Sequence, residues 1–76
     1  MKNPKAIALN PIVSSLLLDG AKVCGRDADG ILCYVEERLT LEEYAAVESF
    51  LHWVFENNKT FGWGNISKVW AEWQRS

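Results

Sequence analysis

His52 is the only histidine in the chain, so general acid–base chemistry at neutral pH would have to start from it. Glu48 and Glu56 stand one helical turn to either side, which makes an i,i+4 contact available. Such contacts are common on ordinary helix surfaces, and no nucleophile is spaced to join them. His52 therefore reads as a surface or structural residue, and no enzymatic activity is expected. Asp27-Ala28-Asp29-Gly30 echoes the opening of a calcium loop. A calcium site needs six or more oxygen ligands and usually a later bidentate Glu, and none follows here. Cys24 and Cys33 lack the CxxC spacing of zinc or redox sites. Gly62-Trp63-Gly64 lacks the Lys and Ser/Thr of a phosphate-binding loop. No metal and no cofactor are expected.

Binding is better represented than catalysis. Phe61-Gly62-Trp63-Gly64 sets an indole between two glycines, which free the backbone and clear space around the ring. Phe61 reads as a plug for the open end of a small core. Trp63 has two readings, a second plug or an aromatic anchor offered to a partner. Charge is the other signal. Six glutamates (36, 37, 42, 43, 48 and 56) face Arg38 alone between positions 36 and 56, a local balance of -5 in a chain of net charge -2. Glu42 and Glu43 suit a helix N-terminus, but Glu36, Glu37 and Glu48 have no such duty. The segment reads either as a solvated face or as an acidic surface aimed at a basic groove that normally receives nucleic acid.

Positioning these groups requires five elements. Asn10-Pro11 starts a first helix, with Asn capping and Pro in the first turn, and Asp19-Gly20 ends it after about two turns. Residues 21–26 and 31–36 read as strands around the Asp27–Gly30 turn, closed by a type I turn with Gly30 in a bulge. The favoured register faces Val23 with Val35 and puts Cys24 and Cys33 on opposite sheet faces, so free thiols are expected. A register shifted by one would set the two cysteines opposite each other. Thr40 and Glu43 form a capping box flanked by Leu39 and Tyr44, opening a helix to about Glu56 that Asn57-Asn58 ends. Tyr44, Val47, Leu51 and Val54 give it a core stripe, with Phe50 beside it. Asn65 caps a last helix whose Ile66, Val69, Trp70 and Trp73 form an apolar face. The expected fold is α+β, helix–β-hairpin–helix–helix (αββαα). The two-stranded hairpin packs on the helices, since it cannot stand alone. Residues 1–76 form a single domain, with 1–9 a flexible N-terminal arm.

Composition narrows the classes further. At 49% hydrophobic and 24% charged residues the chain resembles an ordinary globular protein, and no apolar run approaches the length of about 20 needed to span a membrane. A secretion signal is not expected, because Asn10-Pro11 interrupts the early apolar stretch and no A-x-A site follows. A cytoplasmic protein with reduced thiols is the outcome. Lys68, Gln74 and Arg75 on the last helix allow a helix-turn-helix DNA-binding regulator as the alternative function. Glu72 and the acidic preceding helix weigh against direct nucleic-acid binding.

Leu39-Thr40-Leu41-Glu42-Glu43-Tyr44 and Thr60-Phe61-Gly62-Trp63-Gly64-Asn65-Ile66 resemble segments of small accessory proteins of tailed phages and prophages, anti-CRISPR proteins among them. The resemblance is one of size, acidic helix and aromatic-rich tail, over about half of the chain. It implies a non-enzymatic inhibitor that occludes a host protein or nucleoprotein complex, and it transfers no binding residue. From the residues themselves, Glu42, Glu43, Glu48 and Trp63 are the candidate partner-binding set.

Overall fold

The computed structural model describes residues 3–76, and these form four α-helices and two short 3-10 turns with no strand among them. The helices are α1 (Pro11–Cys24), α2 (Ala28–Val35), α3 (Leu41–Glu56) and α4 (Ile66–Arg75); the turns are Pro4–Ala6 and Glu36–Arg38. The α+β expectation is therefore corrected to an all-helical fold. Met1 and Lys2, the start of the expected arm, lie outside the described residues.

The expected hairpin is a pair of helices. Ala21–Cys24 completes α1, because Val13, Leu17, Gly20, Ala21 and Cys24 continue one inward stripe at helical spacing. Gly20 does not end the helix. It is buried, and a Cβ placed there would stand 3.1 Å from Ile31 Cγ2, so the missing side chain lets α2 approach α1 closely. The true terminator is Gly25, at φ 70 and ψ -146, a conformation essentially reserved for glycine. Ala28, Ile31, Leu32 and Val35 then fall at i, i+3, i+4 and i+7 and carry α2 into the core. Cys24 and Cys33 are unpaired, in helices rather than across a strand pair.

The helix starts and apolar faces elsewhere follow their sequence signals more closely. Asn10 caps α1 by accepting from the Val13 N–H at 2.8 Å, with Pro11 in the first turn. Both halves of the Thr40–Glu43 box are formed at the start of α3. Val47, Phe50, Leu51 and Val54 are fully buried; Tyr44 is only half-buried at the edge. Ile66, Val69, Trp70 and Trp73 bury the inner face of α4. Phe50 is the centre of an aromatic cluster, with ring centroids 4.7 Å from Trp70, 5.6 Å from Phe61 and 5.7 Å from Trp73. Aromatic packing of this kind replaces the aliphatic bulk that so short a chain lacks.

Residues 5–7 of the expected arm are bonded to α4. Trp70 Nε1 donates to the Ile7 carbonyl at 3.1 Å, and Gln74 Nε2 donates to the carbonyls of Lys5 and Ile7 at 2.9 and 3.1 Å. The buried indole N–H is thereby satisfied, which a tryptophan in a core requires.

Candidate functional site

Glu43 is occupied by the fold. Its Oε1 accepts from the Thr40 backbone N–H at 3.1 Å and its Oε2 from Asn10 Nδ2 at 3.3 Å. The Thr40 backbone bond, aided by Asn10 and the Thr40 hydroxyl and opposed by partial desolvation, lowers its pKa below the ordinary 4.5. A carboxylate spent on two helix N-termini is a structural group first, whatever charge it adds to the surface. Glu42 and Glu48 are exposed on α3. Trp63 is 74% exposed, which excludes the plug reading for it, while Phe61 is the plug, half-buried against Phe50.

The loop that presents Trp63 is closed by Asn65. Its Oδ1 accepts from the Gly62 N–H at 2.6 Å and its Nδ2 donates to the Thr60 carbonyl at 3.3 Å. Asn65 stands at the N-cap position of α4 as expected, but its side chain braces the loop and makes no capping bond. Gly25 is the one described glycine with positive φ, so Gly62 and Gly64 do not use the backbone freedom expected of them. Trp63 belongs to the loop leaving the last turn of α3, whereas Glu42 and Glu43 sit in its first turn. The candidate set is therefore spread along the helix and not gathered at one point.

What the fold does gather is a different acidic group. Tyr44 has its pKa raised above 10.0, by partial burial first and then by the charges of Glu48, Glu36, Cys33 and Asp29. Asp29, Cys33 and Glu36 come from α2 and its following turn, Tyr44 and Glu48 from α3. Two helices thus carry exposed carboxylates whose charge is felt at one phenol. Asp29 and Glu36 are absent from the candidate set because a hairpin would have put residue 29 in a turn remote from α3. The signal that finds them is the i, i+4, i+7 spacing of Asp29, Cys33 and Glu36, the outward counterpart of the Ala28–Val35 stripe.

The polar side chains of α4 are partly committed. Gln74 holds residues 5 and 7, and Glu72 pairs with Lys59 at 3.3 Å, leaving Lys68 and Arg75 exposed. The α3–α4 connection, residues 57–65, is far longer than a helix-turn-helix turn of three to four residues. The α1–α2 corner, residues 25–27, has that length, but its second helix exposes Asp29 and Cys33 and runs into Glu36 and Glu37. His52 is exposed on α3. Among the described residues no group of three or more His, Cys, Asp or Glu is placed to hold a metal ion, and no helix is long and apolar enough to cross a membrane. Comparisons with protein-family models, with curated proteins and with solved structures return no significant match.

Proposed function

We propose that this chain is a small non-enzymatic protein-binding module that occupies a basic surface of its partner. In its specific form it is an inhibitor in the manner of phage accessory proteins, blocking a host protein or nucleoprotein complex in the cytoplasm. The observation that supports it is the set of exposed carboxylates of Asp29, Glu36 and Glu48, carried by α2, its following turn and α3, on helices that a shared core holds in place. Preformed like charge on rigid elements steers a basic partner and rejects nucleic acid, whose phosphates it repels. The same charge disfavours the DNA-binding regulator, since the corner with helix-turn-helix length would present carboxylates to the groove. Unpaired Cys24 and Cys33 fit a reducing compartment.

Affinity capture from a bacterial lysate tests the proposal. The baits are the wild-type chain, an Asp29→Lys/Glu36→Lys/Glu48→Lys variant checked for helicity, and Trp63→Ala. Proteins retained by wild type and lost from the charge-reversed bait support it; identical sets on all three overturn it. Salt-steep binding of wild type to duplex DNA would favour the regulator instead.

A further inference from the structure

A hollow of about 240 Å³ lies between the Glu36–Arg38 turn and the first turn of α3, lined by Glu36, Leu39, Leu41 and Tyr44. Leu39 and Tyr44 have a structural duty there, as the residues flanking the capping box that set the entry angle of the chain. Leu41 has none. It is 89% exposed, more than Trp63, Val23 or Ile12, and the first helical position asks for no leucine. Leu41, Tyr44 and Glu48 follow at i, i+3 and i+7, so they share one stripe of α3.

The charge around the hollow says what kind of side chain fits it. Glu36 lines it, and Glu48 stands exposed one turn beyond Tyr44 on the same stripe of α3. The cation of the adjoining turn, Arg38, lies over the Tyr34 ring at 5.3 Å from its centroid. An anionic occupant would be repelled, and a purely apolar one would strip water from the rim carboxylates without replacing it. An occupant that is apolar at its tip and cationic at its flanks meets both demands.

We propose that this hollow docks a basic, apolar segment of the partner protein, with one large aliphatic or aromatic side chain against Leu39, Leu41 and Tyr44 and flanking lysines or arginines facing Glu36 and Glu48. The proposal rests on the protein-binding function above and names the part of the partner that is read.

The test titrates the isotope-labelled full chain with a synthetic amphipathic helical peptide, leucine on one face and lysine on the other. Amide shifts should centre on Glu36, Leu41 and Tyr44. A peptide of equal charge with serine for leucine should bind roughly 10- to 100-fold more weakly, the range expected for seating one large apolar side chain. Leu41→Ser should weaken the leucine peptide by a similar factor with thermal unfolding unchanged, and Glu36→Gln should flatten the salt dependence. Equal affinity for the two peptides, shifts centred on Trp63, or no shifts would overturn the hollow as a docking site. Lysate capture separates the two levels. Capture lost on charge reversal but untouched by Leu41→Ser removes the hollow and keeps the protein-binding function, whereas capture indifferent to every variant removes both.

Discussion

Asn10 Nδ2 donates to Glu43 Oε2 at 3.3 Å, and this one contact ties the N-terminus of α1 to the N-terminus of α3. Each side chain also caps its own helix. Asn10 Oδ1 accepts from Val13 N–H at 2.8 Å, and Glu43 Oε1 accepts from Thr40 N–H at 3.1 Å. Two helices that are 33 positions apart in the chain at this contact are thus registered by groups that would be needed as caps in any case. The negative charge of Glu43 also lies where both helix termini favour it.

Glu43→Ala should lower stability by about 0.5–2 kcal/mol, the usual range for losing a cap, and Glu43→Gln by about 0.3–1 kcal/mol through the lost charge. The pH dependence follows from the lowered pKa of Glu43, set first by the Thr40 backbone bond. A carboxyl whose folded pKa lies below its unfolded value adds stability that is complete above the unfolded value, near 4.5, and lost as pH falls through the folded one. Urea unfolding of wild type and Glu43→Gln at pH 7 and pH 3 checks this. The gap between them should narrow at the lower pH, and a constant gap would show that the charge is not what stabilises.

Gly20 provides a second test, because two general effects oppose each other there. Alanine in a helix interior is favoured over glycine by about 1 kcal/mol. Against that, the added methyl would sit 3.1 Å from Ile31 Cγ2 and 3.4 Å from Tyr34 Cδ1, and Ile31 is fully buried in the core. Overpacking of that kind costs about 1–3 kcal/mol, so Gly20→Ala should be destabilising in net. Gly64→Ala meets nothing within 4 Å and should be close to neutral in the same thermal melts. A stabilised Gly20→Ala would mean that α1 and α2 pack less closely than described.

The same glycine explains why the N-terminal half was hard to read. In isolation Asp19-Gly20 is a stop signal, and only the neighbouring Ile31 reveals that the glycine is a contact point inside a helix. Ile31-Leu32-Cys33-Tyr34-Val35 is apolar throughout, so its pattern has no period to separate strand from helix, and β-branched residues tip it the wrong way. Thr40, Glu43 and the Ile66–Trp73 face are legible because capping and amphipathic spacing are local properties. The exposed row of Asp29, Cys33 and Glu36 exists only on a helix, and it vanishes from any sequence reading that assigns residues 31–36 to a hairpin. Glu43 shows the reverse error, a charge counted for binding that local capping had already claimed.

Trp70 separates packing from hydrogen bonding at one position. Trp70→Ala should cost about 3–5 kcal/mol, as expected for a large aromatic removed from a core. Trp70→Phe retains a ring beside Phe50 but removes the donor to the Ile7 carbonyl. Gln74 also donates to that carbonyl, so the lost bond is partly covered and the cost should be nearer 1–2 kcal/mol, shared between the bond and the smaller ring. Limited proteolysis supplies the second readout. Cleavage near residues 5–9 should accelerate in Trp70→Phe more than its global stability predicts, and further in Trp70→Phe/Gln74→Ala. Equal cleavage in all three proteins would mean that these bonds do not hold the segment.

The final prediction joins the acidic face to association. Asp29→Asn/Glu36→Gln/Glu48→Gln removes three exposed negative charges of α2, its following turn and α3 while leaving the Thr40–Glu43 capping box intact. Steering by a charged surface raises association rates by about 10- to 1000-fold at low salt and fades as the Debye length shrinks. With a partner identified by capture, the triple variant should associate at least about tenfold more slowly at low salt, with a flatter salt dependence and an unchanged melting temperature. Glu43→Gln is the matched control, since it removes one charge at the structural end of α3 and should alter stability more than on-rate. Trp63→Ala should behave in the opposite way, leaving the on-rate alone and raising the off-rate only if the exposed indole is buried in the complex. An unchanged on-rate in the triple variant would dismiss electrostatic docking, and the Trp63 loop would then be the surface to pursue.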